Sequence, residues 1–218
     1  FEFRAVGSSQ NVSLVNTVLN TLCASSFKEF SDAIEAGSSP LAVARAALQE
    51  SWAVISNGDG YDAQNQKEMI DRGLYSLTNI ESIARYTVDK NAEVFERTGV
   101  LTRAECSARQ TVLYNHYIGI VEMESKTLID MIVQEIIPAV SQFVDVSALQ
   151  ASIVHLREAV AAAHHVSDLH ERATAWRNIR LGAMLAVRKE CDIVEGLSPA
   201  TAWPIATYKQ LLFLDTSA

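Results

Sequence analysis

The sequence has no run of basic residues and no long apolar stretch. Its 18 Lys and Arg residues are outnumbered by 26 Asp and Glu residues, so the formal net charge at pH 7 is −8. An acidic chain without clustered basic residues lacks the positive surface that would attract nucleic acids or anionic membranes. No stretch approaches the roughly 18 to 20 consecutive apolar residues that span a bilayer. We therefore expect neither nucleic acid nor membrane as a partner.

Cysteine is also scarce. Cys23, Cys106 and Cys191 lie far apart in the sequence and form no CxxC motif. An odd number of distant cysteines disfavours both a disulfide framework and a zinc site, and favours reduced thiols in a reducing compartment. We expect a cytoplasmic location, with the chloroplast stroma as the alternative.

Hydrophobic residues, in contrast, make up 49% of the 218 residues. This is enough to form one large domain or two small ones with a buried core. Two long segments have helical spacing, at about Thr102 to Val140 and about Ser147 to Glu195. In the first, apolar positions alternate steps of three and four residues, which is typical of a helix packed lengthwise against another. The pattern predicts a mainly α fold with two long antiparallel helices, in which Leu128 and Trp176 are not exposed.

Shorter helices are predicted before Thr102. Pro40 is suited to the first turn of a helix, and Gly37, Gly73 and Gly99 are suited to helix ends. Thr102, followed by Glu105, has the spacing of a capping box. The segment NGDGYD, residues 57–62, is interpreted as a turn, because it lacks the GK[ST] of a phosphate loop and the spaced acidic ligands of a calcium loop.

The histidines do not have the spacing of a metal site. His164, His165 and His170 are not one helical turn apart, so we interpret them as solvated or partner-facing, and His116 and His155 as core or boundary residues. Two charged pairs with i,i+4 spacing are interpreted as solvated charges on helix faces, namely Glu81 with Arg85 and Glu122 with Lys126.

The first residues have the alternation of a strand. Phe1, Phe3 and Ala5 alternate with Glu2 and Arg4, and residues two apart on a strand point the same way, about 6.5 to 7 Å apart. Glu2 and Arg4 therefore form either a surface salt pair or a pair that enters one cavity, as a metal-binding carboxylate and an anion-binding guanidinium. Because a strand already begins at residue one, we expect the chain to be a C-terminal piece of a longer protein.

Several segments together resemble the type III glutamine synthetases. They occur in the family's order, and their joint occurrence makes the match specific: FEFRAVGSSQNVSLVNTVLNT, NGDGYD, RGLYSL, DKNAEVFERTGVLTRAE, ESKTLIDMIVQEIIPAV and AWPIATYKQLLFL. The resemblance covers nearly the whole chain but only the C-terminal part of a family subunit. The chain departs from it at Val15, Tyr75 and Ala206, where the family often has proline.

This resemblance implies a domain division and an activity. Residues 1–37 would be the end of the glutamine synthetase catalytic domain, with one strand of its β-barrel and the helix that follows, and residues 38–218 the C-terminal helical region. Glu2 would bind an active-site Mg²⁺ or Mn²⁺, and Arg4 would contact the glutamate side chain or the γ-phosphoryl group. The activity implied is ATP-dependent ligation of ammonia to glutamate in glutamine biosynthesis, by a ring-forming homo-oligomer.

Other interpretations remain open. ATP would be bound mainly by sequence upstream of this chain, so we expect the isolated fragment to be inactive. One alternative is a non-catalytic helical assembly module derived from the family, in which Glu2 and Arg4 are an ordinary salt pair. The other is a relative that ligates an amine other than ammonia.

Overall fold

The computed structural model describes residues 10–213, apart from the side chains of Tyr208 and Lys209. This range is mainly helical, as predicted, and contains no strand. The strand predicted at the N-terminus, which includes Glu2 and Arg4, lies outside the described residues. The described chain divides into two compact units, one up to Gln110 and the other from Thr111 onward. The division at residue 37, which concerns a catalytic domain, stays a prediction.

The first unit consists of one long helix and several shorter ones. They are α1 (Ser13–Glu35), α2 (Pro40–Glu50), α3 (Ala63–Asp71), α4 (Asn79–Ala84) and α5 (Asp89–Arg97), followed by the first turns of α6 (Arg103–Met131). Turns of 3₁₀ helix follow α2 and α4, at Ser51–Val54 and Arg85–Thr87.

Helices in this unit begin at the residues that the sequence indicates. Pro40 is the first residue of α2, and the side chain of Ser39 before it accepts a hydrogen bond from the Ala42 N–H at 3.2 Å. The capping box predicted for α6 forms: the Glu105 carboxylate accepts from the Thr102 N–H at 2.7 Å, and the Thr102 hydroxyl accepts from the Glu105 N–H at 3.2 Å. These bonds satisfy N–H groups that have no partner inside the helix.

The predicted helix ends are confirmed as well. Gly37, Gly73 and Gly99 follow α1, α3 and α5, and their φ angles are 103°, 90° and 69°. This left-handed region costs a residue with a Cβ atom but not glycine. The three glycines therefore let the chain turn away from each helix without strain.

The core of the first unit is small. Ala92, Phe95, Leu101 and Cys106 are buried together, and Val18 of α1 packs against them. A polar contact also joins α1 to α5, because the Arg97 guanidinium donates hydrogen bonds to the Ser25 hydroxyl and the Glu29 carboxylate. An apolar contact and a polar contact thus join α1 to the rest of this unit.

The second unit contains the rest of α6 and five further helices. These are α7 (Ile137–Val140), α8 (Ser147–His164), α9 (Leu169–Asn178), α10 (Met184–Leu197) and α11 (Tyr208–Leu212). A π-helical turn at Ile132–Ile136 joins α6 to α7, and a second one at Ile179–Ala183 joins α9 to α10.

The first long helix predicted from the sequence is present. It is helical without a break from Arg103 to Val140, and the π-helical turn ends two residues before Pro138. Proline removes one backbone donor and crowds the preceding turn, and a π turn accommodates such a residue within a continuing helix. The predicted apolar stripe is buried or half-buried: Tyr114, Ile118, Val121, Ser125, Leu128, Ile132 and Ile136.

The prediction of one long helix from Ser147 to Glu195 is wrong. The helix ends at His164, and α9 begins at Leu169 after Asp168, whose side chain accepts a hydrogen bond from the Glu171 N–H at 2.8 Å. This N-terminal cap starts a new helix, so α8 and α10 pack against each other as the arms of a helical hairpin.

The direction of the second arm also differs from the prediction. Three side-chain contacts join α6 to the segment from α9 to α10. They are Tyr114 with His170, Glu124 with Arg180, and Ser125 with Met184. A later residue of α6 thus contacts a later residue of that segment. The arm from α9 to α10 therefore runs in the same direction as α6, whereas one continuous antiparallel helix was predicted.

The large core of the chain lies in this second unit. Trp176 is fully buried, as are Val121, Leu149, Leu156 and Val187. Burying a side chain of this size stabilises a fold by roughly 1.5–3 kcal/mol. The predicted burial of Trp176 is confirmed, and Leu128 is half-buried against the same core.

Candidate functional site

The two residues predicted to carry chemistry, Glu2 and Arg4, lie outside the described residues. Between residues 10 and 213, no three His, Cys, Asp or Glu side chains form a group that could hold a metal ion. Helices in the same range are all too short or too polar to cross a membrane. The described part of the chain must therefore be examined for other features that could bind a ligand.

The segment NGDGYD is a turn that precedes α3, as predicted. The Asp59 carboxylate accepts a hydrogen bond from the Tyr61 N–H at 2.9 Å, and the Asn65 side-chain amide donates to the Asp59 carbonyl at 3.0 Å. The Asn65 side chain lies so close to Gly58 that a Cβ atom there would be 2.7 Å from it. The polar groups of this turn thus bind the chain's own backbone.

The histidines contact tyrosine, tryptophan and glutamate. The Nδ1 atom of His170 lies 2.8 Å from the Tyr114 hydroxyl. The His164 ring meets the Trp176 ring edge to face at 5.3 Å, and its Nε2 atom lies 3.6 Å from the Glu122 carboxylate. These partners join α6 to the ends of α8 and α9, so two of the clustered histidines have a structural role.

The other histidines differ from the prediction. His116 and His155 are exposed, whereas the sequence pattern placed them in the core or at its boundary. Each lies next to an apolar stripe but points away from it. Apolar spacing alone does not distinguish a core position from its neighbour on a helix.

One of the two charged i,i+4 pairs forms an ion pair. The Lys126 ammonium lies 2.5 Å from the Glu122 carboxylate, and this hydrogen bond lowers the pKa of Glu122. Glu81 instead accepts a hydrogen bond from the Thr78 N–H at 2.7 Å and completes the cap of α4. Arg85 makes no ion pair with any residue between 10 and 213. Glu81 and Arg85 therefore have the predicted spacing but do not pair with each other.

A cavity of about 290 Å³ lies inside the first unit. Its walls come from α1, α4, α5 and the 3₁₀ turn at Arg85–Thr87. They are mostly apolar, with Val18, Leu22, Val94 and Phe95 among them. Sequence reasoning did not find this cavity, because its lining combines residues from separate helices.

A second cavity, of about 190 Å³, lies inside the second unit. Cys191 and Arg188 line it from α10, opposite Ile132 and Ile136. Burial raises the pKa of the Cys191 thiol to about 11, and Arg188 forms a 2.6 Å ion pair with Asp192. The Cys191 thiol is thus neutral at physiological pH and Arg188 is paired.

Comparison with known proteins gives a family. The model of the glutamine synthetase C-terminal domain matches residues 41–157, which is more than half of the chain. The chain belongs to this family. The match lies within the helical region that the sequence predicts from residue 38 onward.

Three glutamine synthetases are similar to this family member over most of its length. A type-3 glutamine synthetase of Dictyostelium discoideum is 26% identical and covers 98% of the chain. Glutamine synthetases of Bacteroides fragilis and Butyrivibrio fibrisolvens are 22% and 23% identical and cover 98% and 73% of it. The chain spans 35% of the length of the first two and 27% of the third. It thus corresponds to about a third of a glutamine synthetase relative.

Proposed function

We propose that this chain is the C-terminal part of a glutamine synthetase subunit that ligates ammonia to glutamate with ATP. The match of residues 41–157 to the glutamine synthetase C-terminal domain carries the proposal. Its relatives include a type-3 glutamine synthetase, in agreement with the resemblance found in the sequence. In the reaction, ATP phosphorylates the γ-carboxylate of glutamate. Ammonia then attacks the γ-carbonyl carbon, and phosphate leaves to give glutamine.

Arg4 has the role of stabilising charge in this reaction. Negative charge develops on the transferring phosphoryl oxygens, and fixed positive groups at those oxygens lower the barrier. A guanidinium suits this position because its planar fork donates two parallel hydrogen bonds to a phosphoryl group. We assign Arg4 to this contact through its position in the motif FEFR, two residues after Glu2.

Glu2 has the role of binding Mg²⁺ or Mn²⁺. A carboxylate oxygen is the hard ligand that these cations prefer. When bound, the cation neutralises charge on the phosphoryl oxygens. Residues 10–213 contain no group of three possible metal ligands, so the proposal requires the remaining ligands to lie outside that range.

Two measurements test this proposal. The natural full-length protein should form glutamine and ADP from glutamate, ammonia and ATP in the presence of Mg²⁺. The 218-residue chain alone should give no calorimetric signal with Mg-ATP, because its sequence has no phosphate-binding loop. Failure of the full-length protein to form glutamine would contradict the proposal, and turnover with another amine would favour the alternative relative. Micromolar binding of Mg-ATP by the isolated chain would contradict a nucleotide site that lies mainly upstream of it.

Exposed apolar residues favour a second function, assembly of the subunits into a homo-oligomer. No residue of α2 is buried, and Leu41, Leu48 and Trp52 are 61%, 58% and 70% exposed. Large apolar side chains that lie together on a surface are typical of an interface. We propose that α2 and the following 3₁₀ turn contact a second copy of the subunit.

The oligomeric mass tests this second proposal. We expect Leu48→Glu to lower the mass measured by sedimentation, because it places a charge in an apolar contact. Gln49→Glu, which adds the same charge at the next residue without removing an apolar side chain, should leave the mass unchanged. A full-length protein whose mass is the same in both variants would contradict a contact through α2.

A further inference from the structure

The cavity in the first unit has an unpaired cation in its wall. The guanidinium of Arg85 lies over the Tyr75 ring, 4.7 Å from its centroid, and donates to the Tyr75 hydroxyl at 3.5 Å. Among the described residues no carboxylate lies within ion-pair distance of it. The two contacts hold the guanidinium in place without neutralising its charge, so Arg85 can still pair with an anion.

The backbone around Arg85 is held firmly. Its carbonyl accepts a hydrogen bond from the Asn91 side-chain amide at 2.8 Å, which ties the 3₁₀ turn to the first turns of α5. Gln110 of α6 donates to the neighbouring Ala84 carbonyl at 3.3 Å. Arg85 is half-buried, and its backbone is fixed from two sides. Little conformational entropy is therefore lost when a ligand binds to it.

The rest of the cavity suits a hydrocarbon body. Val18 and Leu22 of α1 face Val94 and Phe95 of α5 across it. Tyr86, which also lines the cavity, stacks on Phe95 with a centroid distance of 6.2 Å. The volume of about 290 Å³ is near the lower end of the range for small-molecule sites, roughly 300–1,000 Å³.

We propose that this cavity binds a small amphipathic monocarboxylate, with its apolar body between α1 and α5 and its carboxylate on Arg85. A carboxylate matches the fork of a guanidinium, and one unpaired cation matches one negative charge. The apolar walls exclude a ligand that is polar throughout, because its groups would lose water without gaining partners.

The Tyr86 hydroxyl at the cavity is compatible with a ligand that carries one negative charge. Burial raises the pKa of the Tyr86 hydroxyl, although the positive charge of Arg109 opposes the change. Tyr86 therefore stays neutral at physiological pH and does not repel a carboxylate. In the cavity of the second unit, Arg188 is paired with Asp192, so the same argument does not apply there.

Calorimetry with a pair of matched probes tests the proposal on the natural full-length protein. Phenylacetate and phenylacetamide have the same size and ring, but only the first carries a charge. We expect phenylacetate to bind at least about tenfold more tightly, since only it can form the charge-assisted pair with Arg85. This comparison needs no variant and does not depend on synthetase activity, so it can fail separately from the proposed function.

Two variants and one control locate the site. Arg85→Gln should reduce phenylacetate affinity to that of phenylacetamide, whereas Arg157→Gln, which removes an exposed arginine of α8, should leave it unchanged. Leu22→Trp should abolish binding of both probes by filling the cavity, and Leu22 is half-exposed, so the fold can accept a larger side chain. Circular dichroism confirms that each variant is folded.

Two results would contradict the proposed carboxylate site. Equal affinity for the two probes, unchanged by Arg85→Gln, would show an apolar groove that does not select an anion. No binding of either probe at about 10 mM, where even weak fragments are detected, would show that another part of the protein fills the cavity. Either result would reject a carboxylate site.

Discussion

The Tyr114 hydroxyl lies 2.8 Å from the Nδ1 atom of His170. Tyr114 is buried in α6, and His170 lies in the first turn of α9, directly after the break in the predicted second helix. Their rings also meet edge to face at 5.6 Å. This contact therefore fixes the point where the second arm of the helical hairpin starts along α6.

We expect Tyr114→Phe to lower the free energy of unfolding by about 1 kcal/mol, because the partly buried hydrogen bond is lost while the ring remains. Tyr117→Phe is the control, since Tyr117 is half-buried on the same helix and its hydroxyl has no partner among the described residues. Urea denaturation measures both changes. Equal losses in the two variants would mean that the contact with His170 contributes nothing specific.

A second prediction concerns the contribution of Trp176 to the stability of the same unit. Trp176→Ala should reduce the free energy of unfolding by about 3–5 kcal/mol, because it leaves a cavity in a fully packed core. Tyr61→Ala removes an aromatic side chain that is 89% exposed, and we expect a change within about 0.5 kcal/mol. A loss at Tyr61 as large as that at Trp176 would contradict the observed core.

Much of this helical architecture could be predicted from the sequence. The apolar stripe from Tyr114 to Ile136 and the cap at Thr102 are local patterns, and both agree with the structure. The break at 165–168 was missed because the apolar spacing continues across it from Val160 to Leu169. The signal that indicates the break is Asp168, an N-cap residue inside an otherwise regular pattern.

The ion pair of Glu122 and Lys126 leads to a pH prediction. The Lys126 hydrogen bond lowers the pKa of Glu122 in the folded protein below its unfolded value of about 4.3. The carboxylate therefore stabilises the fold above that pH, and this contribution is lost as the pH falls through the folded pKa. We expect Glu122→Gln to lose less stability than the wild type between pH 7 and pH 3.

Thermal unfolding at both pH values measures this difference. Glu158→Gln is the control, because Glu158 is an exposed residue of α8 without an ion pair among the described residues. It should behave as the wild type does. An identical pH dependence in all three proteins would show that the pair does not contribute to acid sensitivity.

The three cysteines should differ in reactivity. The thiolate is the reactive form, and burial raises the pKa of Cys191 to about 11 and also raises the pKa of Cys106. Cys23 is exposed. At pH 8 we expect an aromatic disulfide reagent to modify Cys23 rapidly and the other two only on unfolding. The fast phase should disappear in Cys23→Ser, and a fast phase that persists would contradict the burial of Cys106 and Cys191.

The sites were less predictable than the helices. The roles of Glu2 and Arg4 came from resemblance alone, because an acidic and a basic residue on a strand form a salt pair in most proteins. The spacing of Glu81 and Arg85 indicates solvated charges on a helix face, but Glu81 caps α4 and Arg85 stacks on Tyr75 instead. Only the assembled helices bring α1 and α5 together around Arg85, so no local pattern could predict the cavity.

Turnover of Arg4→Lys in the natural full-length protein tests whether Arg4 contacts the transferring phosphoryl group. Lysine keeps the charge but replaces a planar, paired donor by a flexible point charge. If Arg4 holds the transferring phosphoryl group, glutamine formation should slow by about 100-fold or more, while turnover of Arg157→Lys, on the exposed surface of α8, should be unchanged. If Arg4 is only a surface partner of Glu2, Arg4→Lys should retain near-wild-type turnover, and that result would contradict the account.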